Sequence, residues 1–185
     1  MKNLKDILYK KLLIKEKLII NKNIKIHNYN YFPKDRKELK TLIEKLIKER
    51  GYDADLNDID TSEITDMHSL FLCSRFNGDI SKWNVSKVTK MDSMFRNSLF
   101  NGNISKWDVS NVTDTRDMFD NSKFNGNISN WDVSNVEYMG GMFFGSEFKG
   151  DISKWKVNDK AIRNAFHMFY KIPLENKPPK WYKEK

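Results

Sequence analysis

Cysteine is almost missing from this 185-residue chain, which contains Cys73 alone. A single cysteine excludes an intramolecular disulfide framework and any zinc site built from several cysteines. We predict that Cys73 is a small buried side chain near the start of the repeats described below. The sequence also lacks the run of about 18 apolar residues that a transmembrane helix requires.

Signatures of enzymes are missing as well. The sequence has no phosphate-binding P-loop, no dinucleotide-binding fingerprint and no hydrolase nucleophile elbow. Its three histidines, His27, His68 and His167, lie far apart, and none has a cysteine or carboxylate at the spacing of a metal site. We therefore predict a protein that is not an enzyme and that carries no cofactor and no metal.

Export signals are not visible either. The apolar residues near the start are interrupted by charges such as Lys10, Lys15 and Glu16, and no cysteine stands nearby for lipid attachment. A secretory signal needs a clean apolar run and a small-residue cleavage site. We expect a protein made without a signal peptide.

The net charge of +8 is unevenly distributed. It amounts to +9 over residues 1–50, −6 over 51–80, +1 over 81–160 and +4 over 161–185. Basic ends attract nucleic acid, anionic membranes or acidic protein surfaces, and charge alone does not distinguish these partners.

A block of ten residues recurs every 24 residues in the middle of the chain. The copies are FNGDISKWNV at 76–85, FNGNISKWDV at 100–109, FNGNISNWDV at 124–133 and FKGDISKWKV at 148–157. Tryptophan and glycine recur in strict register: Trp83, Trp107, Trp131 and Trp155, and Gly78, Gly102, Gly126 and Gly150. We predict that this repeat ladder is structural, because a coil this short buries its apolar face only by stacking on its neighbours.

Each copy is followed by a second apolar pattern, Val-x-x-Met-x-x-Met-Phe, as at Val88, Met91, Met94 and Phe95. This spacing predicts a helical turn, whereas Ile-x-x-Trp-x-Val predicts a short strand. The Asn-Gly pairs are expected to supply positive φ for tight reversals. The predicted fold class is an α+β repeat solenoid of leucine-rich-repeat-like coils, each 24 residues long, with an N-terminal helical cap and extended termini.

The predicted divisions are a basic N-terminal arm at 1–34, a capping helix and linker at 35–55, the repeat solenoid at 56–170 and a C-terminal tail at 171–185. Asp35 and Glu38 form a capping-box pair before an apolar helix face that ends at Gly51. Near the end of the array, Met168-Phe169 fits the repeat if it is displaced by two residues.

The repeated segments resemble a known family. DVSNVTDTRDMF at 108–119 and FNGNISKWDVSNV at 100–112 are similar to the BspA-like leucine-rich repeats. That class occurs in bacterial surface proteins and mycoplasma lipoproteins, and similar arrays occur in phages of gut bacteria. The resemblance covers about residues 56–157. It implies a solenoid used for adhesion or protein contact, without catalysis.

Aromatic residues in the flanks are candidates for docking to a partner protein: Tyr29, Tyr31, Trp181 and Tyr182. The alternatives are that the arm pairs with the repeats as an ordinary strand and that the tail is a disordered end. The arm also mixes Lys22, Lys25 and Lys34 with tyrosines, as single-strand nucleic-acid binders do.

Acidic and amide side chains recur beside the turn glycines: Asp79, Asn103, Asn127 and Asp151. Stacked oxygens of this kind suit calcium, but alternation of Asp with Asn favours side chains that cap backbone groups.

The functional expectation is a structural or protein-interaction subunit of a larger assembly. Its partners are other protein subunits, its most favoured setting is a phage virion, and no membrane insertion is expected. The alternatives are a bacterial cell-surface adhesin module and a nucleic-acid-binding accessory protein that uses the basic arm.

Overall fold

A computed structural model describes residues 29–183. Its regular elements are helix α1, Arg36–Arg50, helix α2, Asp159–Arg163, and a 3₁₀ helix, Pro173–Glu175. Within 29–183 no segment forms a β-strand, and the chain instead makes isolated parallel β-bridges. They pair Tyr31 with Ile59, Asp55 with Asp79, Asp66 with Lys90, Lys90 with Asp114, and Asp114 with Tyr138. The last four of these bridges each advance the chain by one 24-residue unit.

Buried aromatic side chains form three columns that run through these units. Phe95 stacks on Phe71 with ring centroids 5.4 Å apart, and Phe100 stacks on Phe76 at 6.3 Å. Trp107 lies 6.5 Å from Trp83 with nearly parallel rings. Because each ring covers the ring of the preceding unit, the core is one continuous cluster.

The predicted α+β fold class is wrong. The Ile-x-x-Trp-x-Val segments contain no strand, because their amide groups form local turns instead of a ladder. In the first copy the N–H of Ser81 donates to the side chain of Asp79, and the N–H of Trp83 donates to the carbonyl of Ile80. Side-chain acceptors that compete for backbone donors in this way bend the chain every few residues.

The predicted helical turn is also wrong. Residues after each Val-x-x-Met pattern form consecutive tight turns, which we call the turn segments: 67–75, 91–99, 115–123, 139–147 and 165–173. Each contains two residues with positive φ, four positions apart, such as Ser93 at 56° and Asn97 at 54°. A right-handed helix cannot continue through such residues.

Backbone hydrogen bonds join each turn segment to the next. Alternate N–H groups donate to carbonyls one unit further along: Met91 to Asp114, Ser93 to Arg116, Phe95 to Met118 and Asn97 to Asp120. These N···O distances are 2.8 to 2.9 Å. The intervening N–H groups bond three residues back, as Met94 does to Met91. Most of the main chain of these segments is therefore satisfied by other backbone groups, although the N–H groups of His68 and Arg116 donate to the carboxylates of Asp66 and Asp114.

The repeated glycines serve space rather than positive φ, so that prediction was wrong. None of Gly78, Gly102, Gly126 or Gly150 has a positive φ. A Cβ atom on Gly102 would lie 2.7 Å from the ring of Phe100, and one on Gly78 would lie 2.1 Å from the carbonyl oxygen of Ala54. The chain therefore passes too close to its neighbours for any side chain at these positions.

Helix α1 covers the first unit, as the sequence predicted. Asp35 caps it by accepting a hydrogen bond from the N–H of Glu38, and the Glu38 carboxylate accepts one from the N–H of Lys34. Its buried residues Leu39, Ile43 and Leu46 join the main core.

The C-terminal end completes the columns after a displacement of two residues, as the sequence suggested. The N–H of Phe143 donates to the carbonyl of Met168, and Phe169 stacks on Phe143 at 6.2 Å. Helix α2 occupies the region where the extra residues enter. Trp181 then stacks on Trp155 at 6.2 Å and forms a fifth tryptophan rung.

Candidate binding surface

Two exposed sides of each unit differ in how much they repeat. We call residues 76–88, 100–112, 124–136 and 148–157 the repeated side, because most of its positions carry the same residue type in at least three copies. The turn segments, together with the residues directly before them at 66, 90, 114, 138 and 164, carry a second surface, the turn face. Its side chains change from unit to unit.

Side chains of the repeated side hold neighbouring units together. The Oδ1 atom of Asn77 accepts the N–H of Asn101 at 2.7 Å, and Asn101 accepts the N–H of Asn125 in the same way. The indole N–H of Trp107 donates to the carbonyl of Ile80 at 3.2 Å. All five tryptophans make the corresponding bond: Trp83, Trp107, Trp131, Trp155 and Trp181. These positions cannot vary without breaking a link between units.

On the turn face the backbone supplies most links between units, and the side-chain links, such as Arg96 with Asp120 and Lys123 with Glu147, occur once each in different columns. Five of its columns, read from the first unit to the last, are as follows: Asp66, Lys90, Asp114, Tyr138 and Asn164; His68, Asp92, Arg116, Gly140 and Phe166; Leu72, Arg96, Asp120, Phe144 and Tyr170; Cys73, Asn97, Asn121, Gly145 and Lys171; Arg75, Leu99, Lys123, Glu147 and Pro173. None of these columns carries one residue type throughout, and two of them contain the same residue type twice, at Asp66 and Asp114 and at Asn97 and Asn121. The turn face is therefore where this chain can differ from unit to unit at little cost in stability.

Large apolar side chains are concentrated on the turn face. Among residues 29–183, seven large hydrophobic side chains are exposed: Phe32, Tyr52, Leu72, Leu99, Tyr138, Phe166 and Tyr170. Five of them belong to the columns above, and Phe166 is the most exposed of these at 57%. Exposed apolar groups gathered on one surface are typical of protein contact sites.

Charged pairs occupy the middle of the turn face. The Arg116 guanidinium donates to both carboxylate oxygens of Asp114. Arg96 lies 2.7 Å from the carboxylate of Asp120, which is almost fully buried. Burial raises the pKa of Asp120 above its ordinary value, although the positive charge of Arg96 opposes that rise.

Two of the predicted docking residues lie against the first unit. Tyr31 forms a parallel bridge with Ile59, and the Arg50 guanidinium lies 5.6 Å from its ring centroid. Tyr29 contacts Phe32 edge-on at 6.5 Å, and burial raises the pKa of its hydroxyl. The described end of the arm thus contacts the repeats through an isolated bridge and without a strand. Residues 1–28, which include Lys22, Lys25 and His27, lie outside the described residues.

The other two predicted docking residues form the C-terminal cap. Trp181 is half-buried and donates its indole N–H to the carbonyl of Ile152 at 3.0 Å. Tyr182 contacts the ring of Phe169 at 4.8 Å. Both rings are therefore engaged within the chain.

Two further sequence interpretations have different outcomes, and one histidine contacts a carboxylate. Cys73 is exposed on the turn face, so the prediction of a buried cysteine was wrong. The ladder beside the glycines caps backbone groups, as preferred over calcium: Asn103 accepts the N–H and the hydroxyl of Ser105. His68 contacts the carboxylate of Asp66 at 2.9 Å.

Sequence reasoning missed the turn face as a site. Repetition marks the residues of the repeated side, whereas the turn face consists of positions whose residue types change between units. The signal was present in the same 24-residue alignment, where exposed columns such as His68, Asp92, Arg116 and Gly140 change charge and size at every step.

Residues 29–183 contain neither a membrane-spanning helix nor a metal-binding cluster. No helix there is long and apolar enough to cross a membrane. No group of three or more histidine, cysteine, aspartate or glutamate side chains in that range is arranged to hold a metal ion.

Comparison with known proteins identifies one family. Residues 37–123 and 97–183 each match the family described as Mycoplasma protein of unknown function, DUF285. Comparisons with curated proteins and with solved structures find no match. The two matches overlap and together span 37–183, which is well over half of the 185 residues. The chain therefore belongs to this DUF285 repeat family.

Proposed function

We propose that this chain is a non-enzymatic interaction subunit that binds other proteins through its turn face. The observation that carries this proposal is the division of labour between the two sides. Side chains that hold the units together repeat, whereas the turn face varies and exposes apolar residues that the core does not need. Leu99 and Phe166, for example, are 45% and 57% exposed.

The BspA-like resemblance supports the same proposal, because such arrays serve adhesion or protein contact. Two settings follow from it. The first is a phage particle in which the turn face contacts a neighbouring subunit or a host surface. The second is a bacterial cell-surface adhesin module, which is favoured by the family description naming Mycoplasma. A nucleic-acid function through the basic arm has less support, because Tyr31 is engaged with Ile59 and Arg50.

Site-specific photo-crosslinking in the producing cell tests the proposed function. A photoreactive phenylalanine analogue replaces Leu99 or Phe166 on the turn face, and Lys106 serves as the matched exposed position on the repeated side. We expect covalent products with one defined protein from the turn-face positions and none from Lys106. Equal products from both sides, or no product from the turn face, would overturn the proposal. Mass spectrometry of the product and fractionation of virions from cell envelopes distinguish the two settings.

A further inference from the structure

Four aromatic side chains occupy positions in the last two units at the C-terminal end of the turn face. We call Tyr138, Phe144, Phe166 and Tyr170 the aromatic patch. Phe144 and Tyr170 are 5.2 Å apart between ring centroids, and Tyr138, Phe166 and Tyr170 are 38%, 57% and 42% exposed. The corresponding columns of earlier units carry mostly charged or short side chains, such as Asp114, so stacking does not require these rings.

The core beneath the patch is already complete without it. Phe143 and Phe169 occupy the inner column directly below and stack on each other at 6.2 Å, and both are buried. Exposing several large rings above a filled core costs solvation free energy that only a partner recovers.

Cations hold the rings of the patch in place. The Arg116 guanidinium and the Lys160 ammonium lie 5.2 and 5.4 Å from the centroid of the Tyr138 ring. The Lys171 ammonium lies 5.5 Å from the Phe144 ring and 5.6 Å from the Tyr170 ring. Contacts of this kind orient aromatic side chains before binding, which lowers the conformational entropy that these side chains lose when a partner binds.

The charges of these cations are not balanced equally. Arg116 is neutralised by Asp114, and Lys160 is neutralised by Glu137. Lys171 forms no ion pair with any residue between 29 and 183, and neither does Arg163, an exposed residue that lines the same cavity as Phe166. The Glu175 carboxylate accepts a hydrogen bond from the backbone N–H of Lys171 at 2.9 Å, but it is not paired with the ammonium. The Lys171 end of the patch therefore presents an unpaired positive charge beside exposed aromatic surface.

The patch does not suit a polyanion, because carboxylates border its other edge. Asp114 and Asp117 lie one unit away on the turn face, and Glu137 and Glu147 flank the unit that contains Phe144. A phosphate backbone crossing this surface would meet those charges, whereas a peptide can place its few carboxylates at the Lys171 end alone.

We propose that the aromatic patch binds a protein segment in which an aromatic or large apolar side chain stands beside one or two carboxylates. The apolar side chain packs on Phe166 and Tyr170, and the carboxylates pair with Lys171 and Arg163. This inference rests on the proposed function, since it names the part of the turn face that makes the contact and the chemistry of the partner.

A random peptide library displayed on yeast tests the inference with the full chain as bait. We expect the selected peptides to share Asp or Glu next to an aromatic residue. A Phe166→Ser, Tyr170→Ser double variant should lose affinity for them by about tenfold or more, as expected for central aromatic anchors. Lys171→Gln should weaken binding and reduce its dependence on salt.

Phe32→Ser and Tyr52→Ser are the matched controls, because both remove an exposed aromatic side chain that lies outside the turn face. They should leave peptide affinity unchanged. Circular dichroism and thermal melts establish that each variant is folded, as expected for substitutions of exposed residues. Peptides without carboxylates, or equal binding by the double variant, would overturn the inference. So would patch-dependent binding of a fluorescent oligothymidylate, which would assign the patch to nucleic acid instead.

The two proposals fail differently. Crosslinks from Leu99 but none from Phe166 would leave the proposed function intact and remove the patch from it. An absence of crosslinks from both positions would remove the interaction function itself.

Discussion

The repeated side and the turn face of this protein solve the same problem by different means. On the repeated side, side chains such as Asn101 and Trp107 connect neighbouring units, so the residue types recur. On the turn face, backbone N–H groups donate to carbonyls of the next unit, and side-chain links such as Arg96 with Asp120 do not recur, so most side chains there can vary. The difference teaches that the freedom of a surface to vary depends on which atoms hold the fold together at that surface.

The largest expected effect is at the centre of the tryptophan column. Trp107→Ala should lower the free energy of unfolding by about 3–5 kcal/mol, because it opens a cavity and leaves the carbonyl of Ile80 without its indole donor. Chemical denaturation measures the change.

Trp181→Ala provides the comparison for that measurement. Its ring is half-buried and has a tryptophan neighbour on one side alone within the described chain, so its loss should cost less than the loss of Trp107. An equal or greater cost at Trp181 would show that the C-terminal cap, rather than the central column, controls stability.

The next effect concerns space on the repeated side. Gly102→Ala places a Cβ atom 2.7 Å from the Phe100 ring, and the shift that relieves this contact should cost about 1–3 kcal/mol. A shift in the denaturation midpoint measures it, and Ser105→Ala in the same copy is the control for a small substitution. If Gly102→Ala is as stable as the wild type, then close packing does not explain the repeated glycines.

A smaller effect separates the two sides directly. Asn101→Ala removes the acceptor of the Asn125 N–H and should cost about 1 kcal/mol. Leu99→Ala, two residues earlier but on the turn face, should change stability by no more than about 0.5 kcal/mol. Thermal melts of both variants are sufficient. The comparison would break if the Leu99 substitution were the more costly of the two.

The smallest effect is a difference in pH dependence. Burial raises the pKa of Asp120 on the turn face. The contribution of this carboxyl to the free energy of unfolding therefore falls as the pH rises above about 4. The pKa of Asp132 on the repeated side is lowered, because its carboxylate accepts hydrogen bonds from the side chain and backbone of Ser134. The stability that Asp132 contributes is present above about pH 4 and is lost as the pH falls below it.

Unfolding free energies of the wild type, Asp120→Asn and Asp132→Asn, measured from about pH 2 to about pH 7, give these two contributions. As the pH rises, the free energy of unfolding of the wild type should fall relative to that of Asp120→Asn. It should rise relative to that of Asp132→Asn. The same direction for both pairs would contradict the assignment.

Predictions based on strictly repeated residues were accurate, whereas predictions of the local backbone conformation were not. The sequence indicated the Trp83 register, the capping of α1 by Asp35 and the displaced Phe169 column, because each depends on spacing along the chain. Predictions of strands and helical turns failed, because Met91, Met94 and Phe95 have helical spacing while Ser93 and Asn97 have positive φ. Apolar spacing records which side chains are buried and does not record the backbone dihedrals between them.

Exposure was similarly hard to predict for isolated residues. Cys73 follows a buried Phe71, yet it takes a positive φ of 56° and faces solvent. Trp181 resembles a loose aromatic in the tail, yet it forms the last rung of the column.

The sequence by itself determined that 24-residue units repeat, which side chains stack and where the array begins, because identical residues in strict register leave one economical packing. Only the tertiary structure decided how the units are joined and which surface is free. That information lies in the directions of backbone N–H and C=O groups, which carry no residue-specific signal. The tertiary structure also determined that Tyr138, Phe166 and Tyr170 are exposed on the turn face, the surface on which this chain departs from its own repeat.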